Sequence, residues 1–487
     1  MKRLLPILFL TLLFASCKKF LDVQPESDSS LEEMFNTAEG FEEALNGIYL
    51  RASQGDLYGG ELTFGFPDVL SQNYTISFAD AWAYRQAAQY NYKDPAFIGR
   101  KDAAWKGLYH AISSANLILD NIESRKQLLA ADRYALIKGE ALALRAYFHF
   151  DLLRLFAPSF RNNPAAKAIP YVTTFSNKVT PVSTVSEVLT KVREDLAAAK
   201  ELLRPVDPIR TTAYVVGYPT DTDPKELAAP QVFLQQRRHR LNYFAVCGTL
   251  ARASLYAEQY ADALANAKEV IDANKFPWTK DVDFLTPDAT RKDRILYPEL
   301  LFGWFIPNMR ESLQSRFGSG VTGLYIEENA GNALFELGTV GAEDLRYKGW
   351  VRLAVDVTGG RLELQKYLRD DKANRHPLVA PALRLSEMYY IAAEASFDTN
   401  PQGALAYFNA VRFHRGIGTE LNTTVKETFL NELVKESRKE WYGEGQIFYT
   451  YKRLHRSLTG PTGVIYPASN TLFVLPLPDD EIEFGNR

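Results

Sequence analysis

The sequence predicts a mainly α fold, in which tetratricopeptide-like helix pairs form a scaffold with long irregular insertions and a few short β-strands. Three observations predict it. Apolar residues recur every three or four positions through several long segments. Two pairs of these segments repeat one small-residue spacing. Between the segments lie stretches rich in Gly, Pro and aromatic residues that have no helical period.

The N-terminus reads as an address. Lys2 and Arg3 precede an apolar run from Leu4 to Phe14, broken by Pro6 and Thr11, and Ala15, Ser16 and Cys17 follow. A basic start, a short apolar run and small residues before a cysteine predict a signal peptide over 1–16 and lipidation at Cys17. The run is shorter than the ~20 residues a spanning helix needs. Residues 17–35 are polar and contain Pro25, as expected of a tether. The rest, 36–487, is expected to be one domain, with a helical part over about 36–204 and an insertion-rich part over about 205–487. Cys247 is the only other cysteine and is read as a small buried hydrophobe. An exported chain without disulfides relies on its core for stability. The formal charge of -3 gives no electrostatic footprint for nucleic acid.

The first helix is expected over Thr37 to Arg51, with Phe41, Ala44, Leu45 and Ile48 on one face. Residues 52–100 show no helical period and read as a long insertion full of aromatics. Trp105, Leu108, Ile112, Ala115, Leu119 and Ile122 form the next stripe. Ile137, Ala141, Leu144, Phe148, Leu152 and Leu155 form another, stopped by Pro158. Thr184 and Glu187 make a capping box for a helix to Leu203. Residues 205–230 read as loop, and a helix pair follows over Leu241 to Glu258 and Tyr260 to Ala273. Residues 274–380 read as short strands and irregular structure. A last pair is expected over Pro381 to Phe397 and Pro401 to His414. Thr424 and Glu427 suggest a second capping box, for a helix to about Trp441 that Gly443 ends, and TLFVLPLP suggests a short strand. Ala251 and Ala263 are twelve apart, as are Ala392 and Ala404, a spacing that suits closely crossing antiparallel helices.

No motif points to catalysis or to a bound cofactor. The six histidines form no metal-ligand cluster. Gly318, Gly320 and Gly323 fit G-x-G-x-x-G, but neither a strand before them nor a helix after them is expected, so they read as a loop. The pairs Glu32–Glu33 and Glu42–Glu43 point about 100° apart on a helix and cannot converge on one bond. Arg237, Arg238, His239 and Arg240 read as a solvated basic run. Glu436, Arg438, Glu440 and Glu444 read as a salt-bridge network.

Several strings together resemble one family. They are CKKFLDVQP (Cys17 to Pro25), LNGIY (Leu45 to Tyr49), EALALRAYFHFDLLRLFAP (Glu140 to Pro158), LRLSEMYYIAAEA (Leu383 to Ala395), FNAVRFHRG (Phe408 to Gly416), KESRKEWYGEGQIFYTYKR (Lys435 to Arg453) and PLPDDEI (Pro476 to Ile482). In this order they resemble the SusD/RagB family of nutrient-uptake lipoproteins. The resemblance implies a helical, non-enzymatic protein anchored by its lipidated cysteine to the outer membrane. It implies a SusC-like TonB-dependent transporter as partner, with an oligosaccharide or peptide as ligand. Surface export in that family is often helped by acidic residues just after the cysteine, whereas Lys18 and Lys19 come first here.

Glycan binding needs flat apolar faces and polar groups. The insertion after the first helix offers Asn73, Tyr74, Trp82, Tyr84, Arg85 and Tyr90, and Trp278 follows Pro277 in a later loop. These are the candidate ligand-binding residues, against the alternative that Trp82 packs under its own loop. Trp105, Trp304 and Trp441 are expected in the core, and Trp350 is left open. Two other functions compete: a tetratricopeptide-like scaffold for a protein or peptide, and an exported glycan hydrolase.

Overall fold

The computed structural model describes residues 33–485 apart from 222–224, 319, 357–358 and 372. The predicted signal peptide, Cys17 and most of the tether lie outside the described residues. The fold is mainly α with a few short strands, as expected. Its principal helices are α1 (Ala38–Ala52), α2 (Pro95–Ile122), α3 (Ala131–Phe156), α4 (Val185–Leu203), α5 (Tyr243–Tyr256), α6 (Tyr260–Asp272), α7 (Leu385–Ser396), α8 (Pro401–His414), α9 (Lys426–Glu440) and α10 (Ile447–Leu454).

Helices α1 to α8 pack as one continuous array, each against the next. The array includes the contact of α6 with α7, although residues 273–384 separate them in the chain. The two pairs with the shared alanine spacing are therefore neighbours in space. Ala251, Ala263, Ala392 and Ala404 are all fully buried, as close helix crossings require. Cys247 is buried on α5, and burial pushes its thiol up to about 12.

The helix starts follow their caps. Thr37 Oγ1 accepts from Gly40 N–H at 3.1 Å, and the Thr184–Glu187 capping box forms as expected. The second box does not form. Glu427 turns outward to Arg456, and α9 starts at Lys426 after Val425 with no side-chain cap. Helix α2 starts at Pro95, ten residues before Trp105, where the apolar stripe begins. Asp94 caps it by accepting from Ala96 and Phe97 N–H, and Pro95 suits the first helical position. The insertion before it holds three short helices, Glu61–Phe64, Phe66–Leu70 and Arg85–Ala88. Residues Pro381 to Arg384 belong to a strand rather than to the last helix pair. TLFVLPLP is not a strand: Ser469 Oγ caps Leu472 N–H at 3.3 Å and starts a helical turn, and the prolines after it have no N–H to pair.

The strands are β1 (Lys167–Pro170), β2 (Val182–Thr184), β3 (Leu300–Phe305), β4 (Ile326–Glu327), β5 (Val351–Asp356), β6 (Gly359–Leu364), β7 (Val379–Arg384), β8 (Leu458–Thr459) and β9 (Ile465–Tyr466). β1 pairs with β2, β3 with β7 and β8 with β9, and β4-β6-β5 form a three-stranded sheet; all pairings are antiparallel. The stretch from Ile306 to Leu378 is thus not a free loop but an excursion between two paired strands. Trp304 on β3 stacks on Tyr58 with centroids 4.5 Å apart and rings 9° from parallel, and packs against Tyr147 and Phe148 of α3. This aromatic knot joins the early insertion, the helix array and the late excursion.

A buried charge network docks the excursion on α9. Arg346 pairs with Glu436 (2.6 Å) and Glu440 (3.1 Å), Arg415 with Glu440 and Glu299 (2.6 Å each), and Lys366 with Glu444 (2.7 Å). The expected network of Glu436, Glu440 and Glu444 is present, but Arg438 is not in it. Its Nε donates to Asn73 Oδ1 at 3.0 Å instead. The basic run is not solvated. Arg237 is buried between Glu140 (2.7 Å) and Asp207 (3.0 Å), and Arg238 is buried against Glu226 (2.5 Å). Glu140 and Asp207 lie far from Arg237 in the chain, and Glu226 lies twelve residues before Arg238, off any helical spacing, so sequence alone does not reveal the pairing. Among the described residues no helix is long and apolar enough to cross a membrane.

Candidate functional site

The loop from Gln72 to Tyr90 carries four non-glycine residues in the left-handed region: Gln72, Asp80, Ala83 and Tyr90, with φ between 42° and 59°. Each such residue costs on the order of 1 kcal/mol, so the surroundings must impose the shape. They do so by hydrogen bonds. Asp80 Oδ1 accepts from Tyr84 N–H at 2.9 Å, and Oδ2 accepts from Arg85 N–H at 3.2 Å. The Arg85 guanidinium reaches back and donates to the carbonyls of Ser77 (2.8 Å) and Phe78 (2.7 Å). The loop also anchors to the late excursion: Thr75 N–H donates to the Tyr325 carbonyl at 2.7 Å.

This frame presents two aromatic residues. Phe78 is 96% exposed, at the tip, with Arg85 5.9 Å from its ring centre. Trp82 is half-buried, and the Arg316 guanidinium sits 4.7 Å from its ring centre. Arg316 lies on the helix Arg310–Gly318, inside the stretch that precedes the Gly-x-Gly string. That string is preceded by a helix, not by the strand that a dinucleotide site requires. The site can offer flat apolar faces held in a set geometry, with the Arg85 guanidinium beside Phe78 and the buried Arg316 against Trp82.

Of the seven candidate residues, Trp82 and Arg85 lie on this loop, each half-buried. Tyr84 does not join them: it is fully buried beneath, with its hydroxyl 2.9 Å from both Glu61 carboxylate oxygens and 3.3 Å from Arg316 Nη1. Burial pushes its phenol well above the ordinary range. It is a support that steers Arg316. Tyr74 and Asn73 are buried too. Asn73 Nδ2 donates to Asp68 at 2.6 Å, and the Tyr74 hydroxyl lies 3.3 Å from the same carboxylate. They line the root of the loop and offer a ligand no free face. Tyr90 is half-buried; its ring packs on Tyr466 at 4.9 Å and its hydroxyl donates to the Leu70 carbonyl at 2.7 Å. Trp278 belongs elsewhere. It stacks on His414 at 4.3 Å and packs against Tyr389 and Arg415.

The remaining tryptophans are buried as expected, and Trp350 joins them, with its Nε1–H bonded to the Arg294 carbonyl at 2.8 Å. Phe78 is an additional residue of the surface, and Arg316, itself buried, packs against the Trp82 ring from below. Phe78 stands among aromatics that are mostly buried, with nothing local to mark it. Arg316 lies more than 200 residues away in the chain from Trp82, and only the fold joins them.

A family described as starch-binding and associating with the outer membrane matches residues 19–212, and the SusD family matches residues 365–472. No curated protein sequence matches the chain. Among solved structures, a SusD superfamily protein from Bacteroides thetaiotaomicron is 23% identical, with a TM-score of 0.72 over 92% of this chain and 98% of its own. A SusD superfamily protein from Bacteroides vulgatus is 19% identical, with a TM-score of 0.73 over 93% of this chain and 98% of its own. A SusD-like carbohydrate binding protein from the same organism is also 19% identical, with a TM-score of 0.70 over 92% and 96%. The two family matches bracket the helix array from its first helix to its last, and the chain belongs to the SusD/RagB family.

Proposed function

We propose that this chain is a non-enzymatic carbohydrate-binding lipoprotein that captures oligosaccharide at the outer membrane, with Phe78 and Trp82 as its contact surface. The single observation that carries the reading is the braced loop. Its strained backbone is fixed by Asp80 and Arg85 before any ligand arrives, and its tip is an aromatic ring almost wholly in solvent. A rigid aromatic face loses little conformational entropy when a sugar ring settles on it. The family's description and a relative's name as a carbohydrate binding protein support the same reading.

In this reading Cys17 carries the lipid, and a SusC-like TonB-dependent transporter receives the ligand. Calorimetry and affinity electrophoresis against a glycan panel test the binding, with expected retention and no released product. Turnover of any glycan counts against it. Cys17→Ser is expected to release the protein from the membrane fraction. Pull-down of the anchored protein is expected to bring one large barrel protein with it.

A further inference from the structure

A second concavity lies on the late excursion. It is a hollow of about 530 Å³ between Thr220, Phe305 with Pro307, and residues 369–371 and 374–378. Phe305 and Pro307 also wall a neighbouring hollow of about 280 Å³ against α1, so Phe305 stands as a ridge between the two. Its ring is 45% exposed and is backed by His239, stacked 11° from parallel at 5.3 Å.

The floor of the larger hollow holds an unusual cation. Arg369 is only 9% exposed, and among the described residues it makes no ion pair. Its guanidinium donates to two backbone carbonyls, of His376 (3.0 Å) and Pro377 (2.8 Å). It also touches His376 Nδ1 at 3.2 Å, but that contact is not a hydrogen bond. His376 Nε2 accepts from Arg294 N–H at 3.1 Å, which leaves the imidazole proton on Nδ1, where it donates to the Pro377 carbonyl at 2.9 Å. Arg369 Nε has no partner. Arg294 lies near, also buried; its guanidinium donates to the carbonyls of Ala289 and Lys292, and the charges of Asp370 and Asp293 act on it. Burial and the charge of Arg294 push Arg369 down to about 9, as expected of a cation short of counter-charge. Asp293 offsets part of that charge without an ion pair to Arg369, while its oxygens accept from the Tyr218 hydroxyl (2.8 Å) and Ile295 N–H (2.9 Å). The other arginines of the hollow are balanced: Arg310 by Asp371, and Arg375 by Asp221 and Asp283.

We infer that this hollow is a second ligand site, selective for a saccharide unit that carries a carboxylate, with Phe305 under the ring and Arg369 facing the acid. The inference rests on the carbohydrate reading above. An uncharged sugar leaves Arg369 without an ion pair, whereas a uronate supplies one. Phe305 supplies the flat face beside it.

The test is calorimetry of the full chain with trigalacturonate and with galactotriose, its uncharged counterpart. Tighter binding of the acid is expected, and Arg369→Gln is expected to weaken acid binding by about 10- to 100-fold and so to narrow the gap between the two sugars. Phe305→Ala, at an exposed position, is expected to weaken acid binding as well; it keeps the test open if the Arg369 variant does not fold. Equal binding of both sugars, or acid binding untouched by Phe305→Ala, overturns the acidic site and leaves the carbohydrate reading standing. Binding of neither sugar, together with no retention across the glycan panel, overturns both.

Discussion

The Arg252 guanidinium on α5 grips the Glu387 carboxylate on α7 with two hydrogen bonds of 2.6 Å each, from Nε and Nη2. Both side chains are buried, and 135 residues of chain separate them. The pair joins the two halves of the helix array where no local sequence links them. Arg252 also donates to the Ala382 carbonyl at 2.7 Å, within β7.

Arg252→Ala is therefore expected to destabilise the fold by about 3–5 kcal/mol, because it strands a buried carboxylate. The double variant Arg252→Met with Glu387→Leu removes both charges and should cost far less. Denaturant midpoints of the three proteins check this.

Phe78 makes almost no packing contact, so Phe78→Ala is expected to leave the thermal midpoint where it is. Glycan affinity should fall by about tenfold or more, the scale of a lost aromatic contact. Trp82→Ala should abolish retention in affinity gels. Retention by both variants removes the loop from the binding surface.

Asp80→Ala tests whether the loop's shape matters separately from its aromatics. The carboxylate holds the backbone N–H groups of Tyr84 and Arg85, and its loss should cost about 0.5–2 kcal/mol locally. Hydrogen exchange at those two amides should accelerate, and ligand affinity should drop although Phe78 and Trp82 remain. Unchanged exchange means that the Arg85 clamp alone fixes the loop.

Asp68 gives a pH dependence with a definite sign. Burial raises its carboxyl to about 7 despite hydrogen bonds from Gly445 N–H at 3.0 Å and Asn73. The folded state thus holds a proton that the unfolded state releases near 3.8. This contribution to stability is complete at acid pH and is lost as pH rises through the window to 7; beyond that it stays constant. The change amounts to at most about 4 kcal/mol. Asp68→Asn should flatten the dependence of the denaturant midpoint between pH 5 and 8. A parallel curve for the variant rules Asp68 out as its source.

Much of the fold was legible because helices write their packing into the chain. The stripes through Leu108 and Ile112, and through Leu144 and Phe148, are the buried faces of α2 and α3. The shared alanine spacing marked two true crossings. What failed depended on distant partners. Arg237 and Arg238 look solvated until Glu140, Asp207 and Glu226 meet them. Thr424 and Glu427 have the spacing of a capping box, but Arg456 takes Glu427 away. The site divides along the same line. The insertion was visible as an aperiodic aromatic stretch, yet alternate burial within it was not. Tyr84 and Trp82 are two residues apart, and one lies under the loop while the other lies on it.

The pairing of β3 with β7 has a consequence for how such a chain can diversify. The chain leaves the helix array and returns to it through one ladder, in which Trp304 faces Ala380. Everything hung between those strands is a cassette. Arg316 and Arg369 both lie within it, whereas the α6 to α7 contact that closes the array does not. Exchange of that cassette can change the surfaces that Arg316 and Arg369 help to build without rebuilding the helical body, provided that the newcomer keeps the Arg346 and Lys366 latch onto α9 and Glu444.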